Sequence, residues 1–127
     1  MNILVLAAGI VTTLTTTGHF AVGTKMFLVP ILAAPMDLIV RKQAQSIFHY
    51  VSVYLILSAV TLLWIGVDGA LNDRSRLVVQ FIAANYVGFA IWQLQIALTS
   101  GLKRGPLQMF QWLFFTAIAA LAGLGSL

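Results

Sequence analysis

Residues 47–67 have the sequence IFHYVSVYLILSAVTLLWIGV and contain no formally charged side chain. About 20 apolar residues are the length that an α-helix needs to cross the hydrocarbon core of a bilayer. Aromatic side chains lie toward the two ends of this stretch, at Tyr50, Tyr54 and Trp64, as they do where a helix meets the two membrane interfaces. The stretch therefore predicts a transmembrane helix.

Three further stretches repeat this pattern on either side of it. Residues 3–22, 77–99 and 106–126 also lack formal charge, and all seven Lys or Arg and all three Asp residues lie between the stretches. The chain is 61% hydrophobic and 8% charged, whereas a soluble domain has about 25% charged residues. We therefore predict one integral membrane domain over residues 1–127, an all-α, up-and-down bundle of four transmembrane helices.

The apolar segment between the first two stretches contains two prolines. It runs from Met26 to Val40 and includes Pro30 and Pro35. About fifteen residues are too few to span a bilayer, and proline disfavours a straight helix. This segment predicts a short interfacial or kinked element after the first helix. The other connections are short, which predicts that the second, third and fourth helices pack as sequential antiparallel neighbours.

The basic residues lie mainly on one side of the predicted bundle. The connections after the first and third stretches carry five of them against one aspartate, and the connection after the second carries two of each charge. Because cytoplasmic loops are enriched in Lys and Arg, we expect a multi-pass protein of the bacterial inner membrane with a retained first helix and both termini outside. The five basic residues adjoin apolar stretches, which fits membrane lipid headgroups and not nucleic acid: Lys25, Arg41, Lys42, Lys103 and Arg104.

Two histidines are candidates for a cofactor site. His19 lies near the cytoplasmic end of the first helix and His49 near the cytoplasmic start of the second, so the helical rise places them at similar depth. Two histidines at one level could be axial ligands of a haem or ligands of a metal ion, with Asp37 as a carboxylate ligand of the metal. Alternatively, each imidazole forms a hydrogen bond with a neighbouring helix.

Polar amides near the third loop predict a second candidate site. Gln95 and Gln108 could approach each other across the loop, and Gln111 is three residues from Gln108, on the same helical face. With Trp112 as a wall, these side chains would hold a lipid headgroup, a quinone or another amphiphile; interhelical hydrogen bonding alone is the alternative. Four basic residues could hold an anionic lipid beside them: Arg41, Lys42, Lys103 and Arg104.

The order of several short motifs resembles that of small four-helix bacterial membrane proteins of unknown function. In those proteins a His-x-x-x-Gly motif at the end of the first helix precedes a histidine in the second. The matching positions cover most of the chain: Gly18, His19, Gly23, Pro30, Arg41, His49, Pro106 and Trp112. The resemblance implies a four-helix integral membrane protein and brings no activity with it.

The sequence contains no catalytic, phosphate-binding or metal-binding motif and no cysteine. We therefore expect a non-enzymatic membrane subunit or binding protein that packs with itself or with a larger membrane complex and holds an amphiphile. One alternative is a haem- or metal-binding redox protein that uses His19 and His49. Another is a homo-oligomeric channel or carrier, although no aspartate lies within a predicted span to couple transport to protons.

Overall fold

The first predicted span and the segment after it form a single helix. In the computed structural model, which describes all residues 1–127, helix α1 runs over Ile3–Ala33. Its stretch His19–Leu28 is π-helical, and the Val29 amide donates to the Thr24 carbonyl, five residues earlier. The predicted segment after the first helix is therefore joined to α1 instead of forming a separate interfacial helix, and Pro30 lies in the first turn of the α-helical end Val29–Ala33, where proline is tolerated. A kink in this segment stays a prediction.

The next two helices are also long. Residue Ala34 is extended ahead of Pro35, which ends α1. Helix α2 covers Leu38–Asp68 and ends at Gly69, whose φ of 76° is left-handed. Helix α3 covers Asp73–Thr99. All of α1, α2 and α3 are long and apolar enough to cross a membrane, and the chain has no strand, which confirms the all-helical fold class.

The last predicted helix is interrupted near its start. Helix α4 covers only Gly105–Gln108, and α5 covers Gln111–Gly125. The Trp112 Nε1–H donates to the Pro106 carbonyl at 3.0 Å, so an indole takes the carbonyl that the Phe110 amide would bind in a continuous α-helix. The predicted continuous helix over 106–126 is therefore replaced by two helices.

Helix α1 is the central element of the bundle. It packs against both α2 and α5, and α5 packs against α3. Helices α2 and α3 are joined by a short loop but approach each other closely at few positions. The prediction of sequential antiparallel neighbours is therefore confirmed for the third and fourth spans, whereas the second and third spans meet through side chains such as Ser58 and Tyr86 and not through close backbone packing.

Asn2 fixes the direction of the helices at one end of the bundle. Its backbone amide donates to the Gly66 carbonyl at 2.8 Å, and its Nδ2 donates to the Gly125 carbonyl at 2.8 Å. The start of α1 therefore meets the ends of α2 and α5, and these helices run antiparallel to α1. We call this the terminal end. The opposite, basic end holds Lys25, Arg41, Lys42, Lys103 and Arg104.

The apolar core lies almost entirely in the half of the bundle next to the terminal end. Thr12, Ser58 and Tyr86 mark its limit, because each is buried and they meet in the centre of the bundle. We call the two sides of this level the terminal half and the basic half. The core cluster of 11 buried residues reaches no more than about one helical turn into the basic half: Val5, Ala8, Leu55, Leu62, Val79, Ile82, Ala83, Tyr86, Ile118, Ala119 and Ala122.

Glycines allow backbone contact between the helices of the terminal half. A Cβ atom on Gly66 would lie 2.6 Å from the Leu6 Cα, and one on Gly9 would lie 2.8 Å from the Leu63 amide nitrogen. A Cβ atom on Gly125 would lie 2.9 Å from the Val5 amide nitrogen. The close approaches of α1 to α2 and α5 therefore depend on the missing side chains of these glycines, and at the basic end Gly105 allows a similar approach to the Ala97 carbonyl of α3.

Candidate functional site

A hydrogen bond between hydroxyl groups joins α2 to α3 at the middle of the bundle. The Ser58 Oγ and the Tyr86 hydroxyl are 2.7 Å apart, and both side chains are buried. Thr12, which is also buried, donates its own hydroxyl to the Ala8 carbonyl at 2.7 Å. The Tyr54 hydroxyl is buried as well, but it has no hydrogen-bond partner.

A layer of four aromatic rings lies at the boundary between the terminal half and the basic half. The Tyr54 and Phe89 ring centroids are 5.4 Å apart, and the Phe89 and Phe115 centroids are 5.7 Å apart. Tyr86 lies 5.7 Å from Tyr54 and 5.9 Å from Phe115. These four rings come from α2, α3 and α5, so they connect α2 to the closely packed pair of α3 and α5. We call them the aromatic layer.

His19 is held on α2 by a hydrogen bond and by ring stacking. Its Nε2 lies 2.9 Å from the Ser52 Oγ, and its ring stacks on Phe48 with centroids 4.1 Å apart. The Ser52 hydroxyl donates its only hydrogen to the Phe48 carbonyl at 3.0 Å. The Ser52 oxygen therefore accepts from His19, which assigns the Nε2–H tautomer to this imidazole.

His49 is exposed and occupies a different environment. Its ring meets Phe48 edge-on, with centroids 5.6 Å apart. No group of three or more His, Cys, Asp or Glu residues lies close enough to hold a metal ion. The structure thus does not gather His19, His49 and Asp37 into the three-ligand set, while haem or metal binding by the two histidines alone stays a prediction.

The amide pair between α3 and α5 consists of Gln93 and Gln111. The Gln93 Nε2 donates to the Gln111 Oε1 at 3.3 Å. Gln95 and Gln108 are exposed instead. Gln95 points away from the bundle because two residues turn an α-helix by about 200°. Gln108 and Gln111 do not share a continuous helical face, since the helix is interrupted between them.

Two polar pairs lie at a similar depth in the basic half, His19 with Ser52 between α1 and α2 and Gln93 with Gln111 between α3 and α5. Seven residues make about two turns and 10 Å, so a residue seven positions from a core residue lies on the same face. Three of the polar residues obey this spacing: His19 from Thr12, Gln93 from Tyr86 and Gln111 from Ile118. We call His19, Ser52, Gln93 and Gln111 the polar interior; only Ser52 is fully buried.

The basic residues do not converge on a single point of the basic end. Arg41 donates from Nη1 to the Leu32 carbonyl at 3.0 Å, which ties the start of α2 to the end of α1, and its Nε is buried without a partner. Lys42 donates to the Gln45 Oε1 at 3.1 Å. Lys103 and Arg104 are exposed in the loop before α4. Trp112, a predicted wall of the amphiphile site, is partly buried and bound to Pro106.

A surface depression on α2 lies away from the polar interior. It has a volume of about 450 Å³ and is lined along one face of α2 by Val60, Leu63, Trp64, Val67 and Asp68. A strip on the outside of one helix fits a lipid chain and offers little to recognise a polar group, so we place the candidate site at the polar interior.

Sequence reasoning missed Ser52, Gln93 and Tyr54 as members of the candidate site. The seven-residue spacing from apolar core positions would have identified Gln93. Comparisons of the chain with protein-family models, with curated proteins and with solved structures gave no match. The geometry of the polar interior is therefore the basis for a functional proposal.

Proposed function

We propose that this chain is a four-helix integral membrane protein that holds an amphiphile between its helices in the basic half. The polar interior supports this proposal most directly. It places an imidazole and two amides on the core-facing sides of three helices, in the half of the bundle that the main apolar core cluster barely enters. Such a lining would bind a polar head while the surrounding apolar side chains contact its tail.

Helix length and surface composition support the membrane placement. Three helices are long enough to cross a bilayer, and large apolar side chains cover their outer surfaces, as at Leu57, Val60 and Trp64. The segment from Gly105 to Gly125 supplies the fourth span, with α4 and α5 together in the membrane. The excess of Lys and Arg at the basic end supports a cytoplasmic location for that end and an outside location for both termini of a bacterial inner-membrane protein.

The depth of the polar interior supports an occupant with a polar head. These side chains lie about 10 Å from the level of Tyr86, within the hydrocarbon region of a bilayer about 30 Å thick. Polar groups at this depth need partners, because lipid tails provide none. The single hydrogen bond between Gln93 and Gln111 uses one N–H of Gln93 and the side-chain oxygen of Gln111. Each amide therefore keeps further donors and acceptors that a ligand could use.

The aromatic layer forms the inner limit of the proposed site. Rings at this position would pack against a planar head, and the unpartnered Tyr54 hydroxyl lies within the layer. No side chain of the polar interior other than His19 is able to carry a charge. The lining therefore favours a head that forms hydrogen bonds without a full charge, such as a quinone or a neutral lipid.

Native mass spectrometry of the full chain in mild detergent tests the proposal. We expect a species heavier than the chain, with a lipid or quinone recovered from it by solvent extraction. Replacing both amides, Gln93→Leu with Gln111→Leu, should reduce the retained molecule at least several-fold. Gln108→Leu is the matched control, because Gln108 is an exposed amide near α5 without a partner. A bare chain, or equal retention in the two variants, would refute amphiphile binding at this site.

A further inference from the structure

Four amide side chains lie on α3, and only two of them have a hydrogen-bond partner. Asn85 donates to the Phe81 carbonyl of its own helix at 2.7 Å, and Gln93 donates to Gln111 at 3.3 Å. Gln80 and Gln95 are exposed, and neither side chain is hydrogen-bonded within the chain. Two amides of α3 therefore remain to be satisfied by something outside the chain.

Gln80 and Gln95 lie on the same side of α3. Fifteen residues separate them, which places their directions about 60° apart around an α-helix. This side is opposite to the one that carries Val79 and Tyr86, both fully buried in the core. We call it the outer face of α3, and exposed residues occupy it along its length: Leu77, Gln80, Ala84, Ile91 and Gln95.

Lipid is a poor environment for these two amides. Gln80 is six residues from Tyr86, or about 9 Å along the helix, so the proposed membrane placement puts it within the hydrocarbon region. Gln95 lies nine residues from Tyr86 on the other side, near the membrane boundary. Hydrocarbon offers neither donor nor acceptor to an amide, and a polar group on a transmembrane helix commonly binds a neighbouring helix.

We propose that the outer face of α3 pairs with the same face of a second copy of this chain, around a two-fold axis parallel to the membrane normal. A primary amide carries both a donor and an acceptor, so it is complementary to another primary amide. A two-fold axis of this direction preserves depth, which brings each glutamine to its own counterpart. A different partner protein would need hydrogen-bonding groups at the depth of Gln80 and also at the depth of Gln95. The pairing rests on the membrane placement and not on amphiphile binding.

Disulfide cross-linking tests which face pairs, because the chain has no cysteine of its own. Ala84→Cys places a thiol between the two glutamines, and Ala120→Cys places one on an exposed position of α5. In liposomes at a high lipid-to-protein ratio, we expect Ala84→Cys to form at least five-fold more cross-linked dimer than Ala120→Cys. Equal cross-linking of the two variants would overturn the assignment of the face.

The contribution of the amides is tested by Gln80→Leu combined with Gln95→Leu. Loss of the interhelical hydrogen bonds should weaken self-association roughly ten-fold, measured by energy transfer between labelled copies in liposomes. Both positions are exposed, so the helical circular dichroism should be unchanged. A monomeric parent chain, or unchanged association of the double variant, would overturn the pairing. Native mass spectra separate this result from amphiphile binding: a liganded monomer contradicts only the pairing, and a ligand-free dimer contradicts only the proposed function.

Discussion

The two halves of the bundle use the same helices but pack them differently. In the terminal half, Gly9, Gly66 and Gly125 allow backbones to touch, and Asn2 hydrogen-bonds to the ends of two other helices. In the basic half, no residue from 38 to 51 is buried, and polar side chains occupy core-facing positions. We therefore expect the terminal half to provide most of the stability and the basic half to be the part that binds, since binding regions are often drawn from the less stable parts of a protein.

The largest effect should come from adding a methyl group where backbones touch. Gly66→Ala places a Cβ atom 2.6 Å from the Leu6 backbone, whereas a Cβ atom on Gly18 in the basic half meets nothing within 4 Å. We expect Gly66→Ala to lower the free energy of unfolding by about 2–3 kcal/mol because the helices must separate. Thermal unfolding in detergent measures the change.

Gly18→Ala is the control for that substitution. It should leave stability unchanged or raise it by about 0.5–1 kcal/mol, because alanine has the higher helix propensity. Similar destabilisation by both substitutions would remove the distinction between the two halves.

A smaller loss of unfolding free energy is expected when Asn2 is replaced, because this residue caps α1 and also binds another helix. Asn2 and Asn72 both accept backbone amides at the start of a helix, but only Asn2 also donates to another helix, at the Gly125 carbonyl. We expect Asn2→Ala to cost about 2 kcal/mol and Asn72→Ala about 1 kcal/mol of unfolding free energy. If Asn72→Ala lowers the unfolding free energy as much as Asn2→Ala does, the hydrogen bond from Asn2 to Gly125 contributes no stability.

The boundary between the halves is tested with two tyrosines. Tyr86→Phe removes a hydroxyl bonded to Ser58, and Tyr54→Phe removes one that has no partner. We expect Tyr86→Phe to cost about 1 kcal/mol and Tyr54→Phe to be neutral or stabilising. Equilibrium unfolding of each variant checks the order. A larger loss for Tyr54→Phe in ligand-free protein would show that its hydroxyl is satisfied after all.

The smallest change in stability should follow substitution within the polar interior. Gln93→Leu with Gln111→Leu removes one 3.3 Å hydrogen bond between partly exposed side chains, which is worth about 0.6 kcal/mol. The same double variant is expected to lose its bound amphiphile. Unfolding experiments on delipidated protein separate the two effects, and a loss of several kcal/mol would mean that the basic half is as important for stability as the terminal half.

The lengths of the uncharged stretches predicted where the helices lie. They did not predict where each helix begins and ends, or which helices pack against each other. The stretch 47–67 lies within α2, which starts nine residues earlier, at Leu38. Pro30 does not end α1, because it follows a π-helical stretch and lies in the first turn of the α-helical segment Val29–Ala33, where proline is tolerated. Pro35 was a better guide, since Ala34 is extended immediately before it.

Loop length predicted the packing of α3 against α5 but not the close packing of α2 against α1. The short loop of Gly69 to Asn72 suggested that α2 and α3 pack together, but glycines at Gly9 and Gly66 bring α2 against α1 instead. The glutamines of the candidate site also differ from the predicted ones. Gln95 and Gln108 are nearest to the loop, but it is Gln93, on the opposite side of α3 from Gln95, that hydrogen-bonds to Gln111.

The hydrogen bond from Asn2 to Gly125 joins residues that are 123 positions apart in sequence. Since a ribosome makes the chain from its N-terminus, the proposed membrane placement has α1 entering the membrane long before α5, its neighbour in the terminal half, has been synthesised. Early in synthesis α1 has only α2 as a partner, and its face toward α5 remains in contact with lipid or with the insertion machinery. The order of synthesis thus places closure of the terminal half after the synthesis of α5.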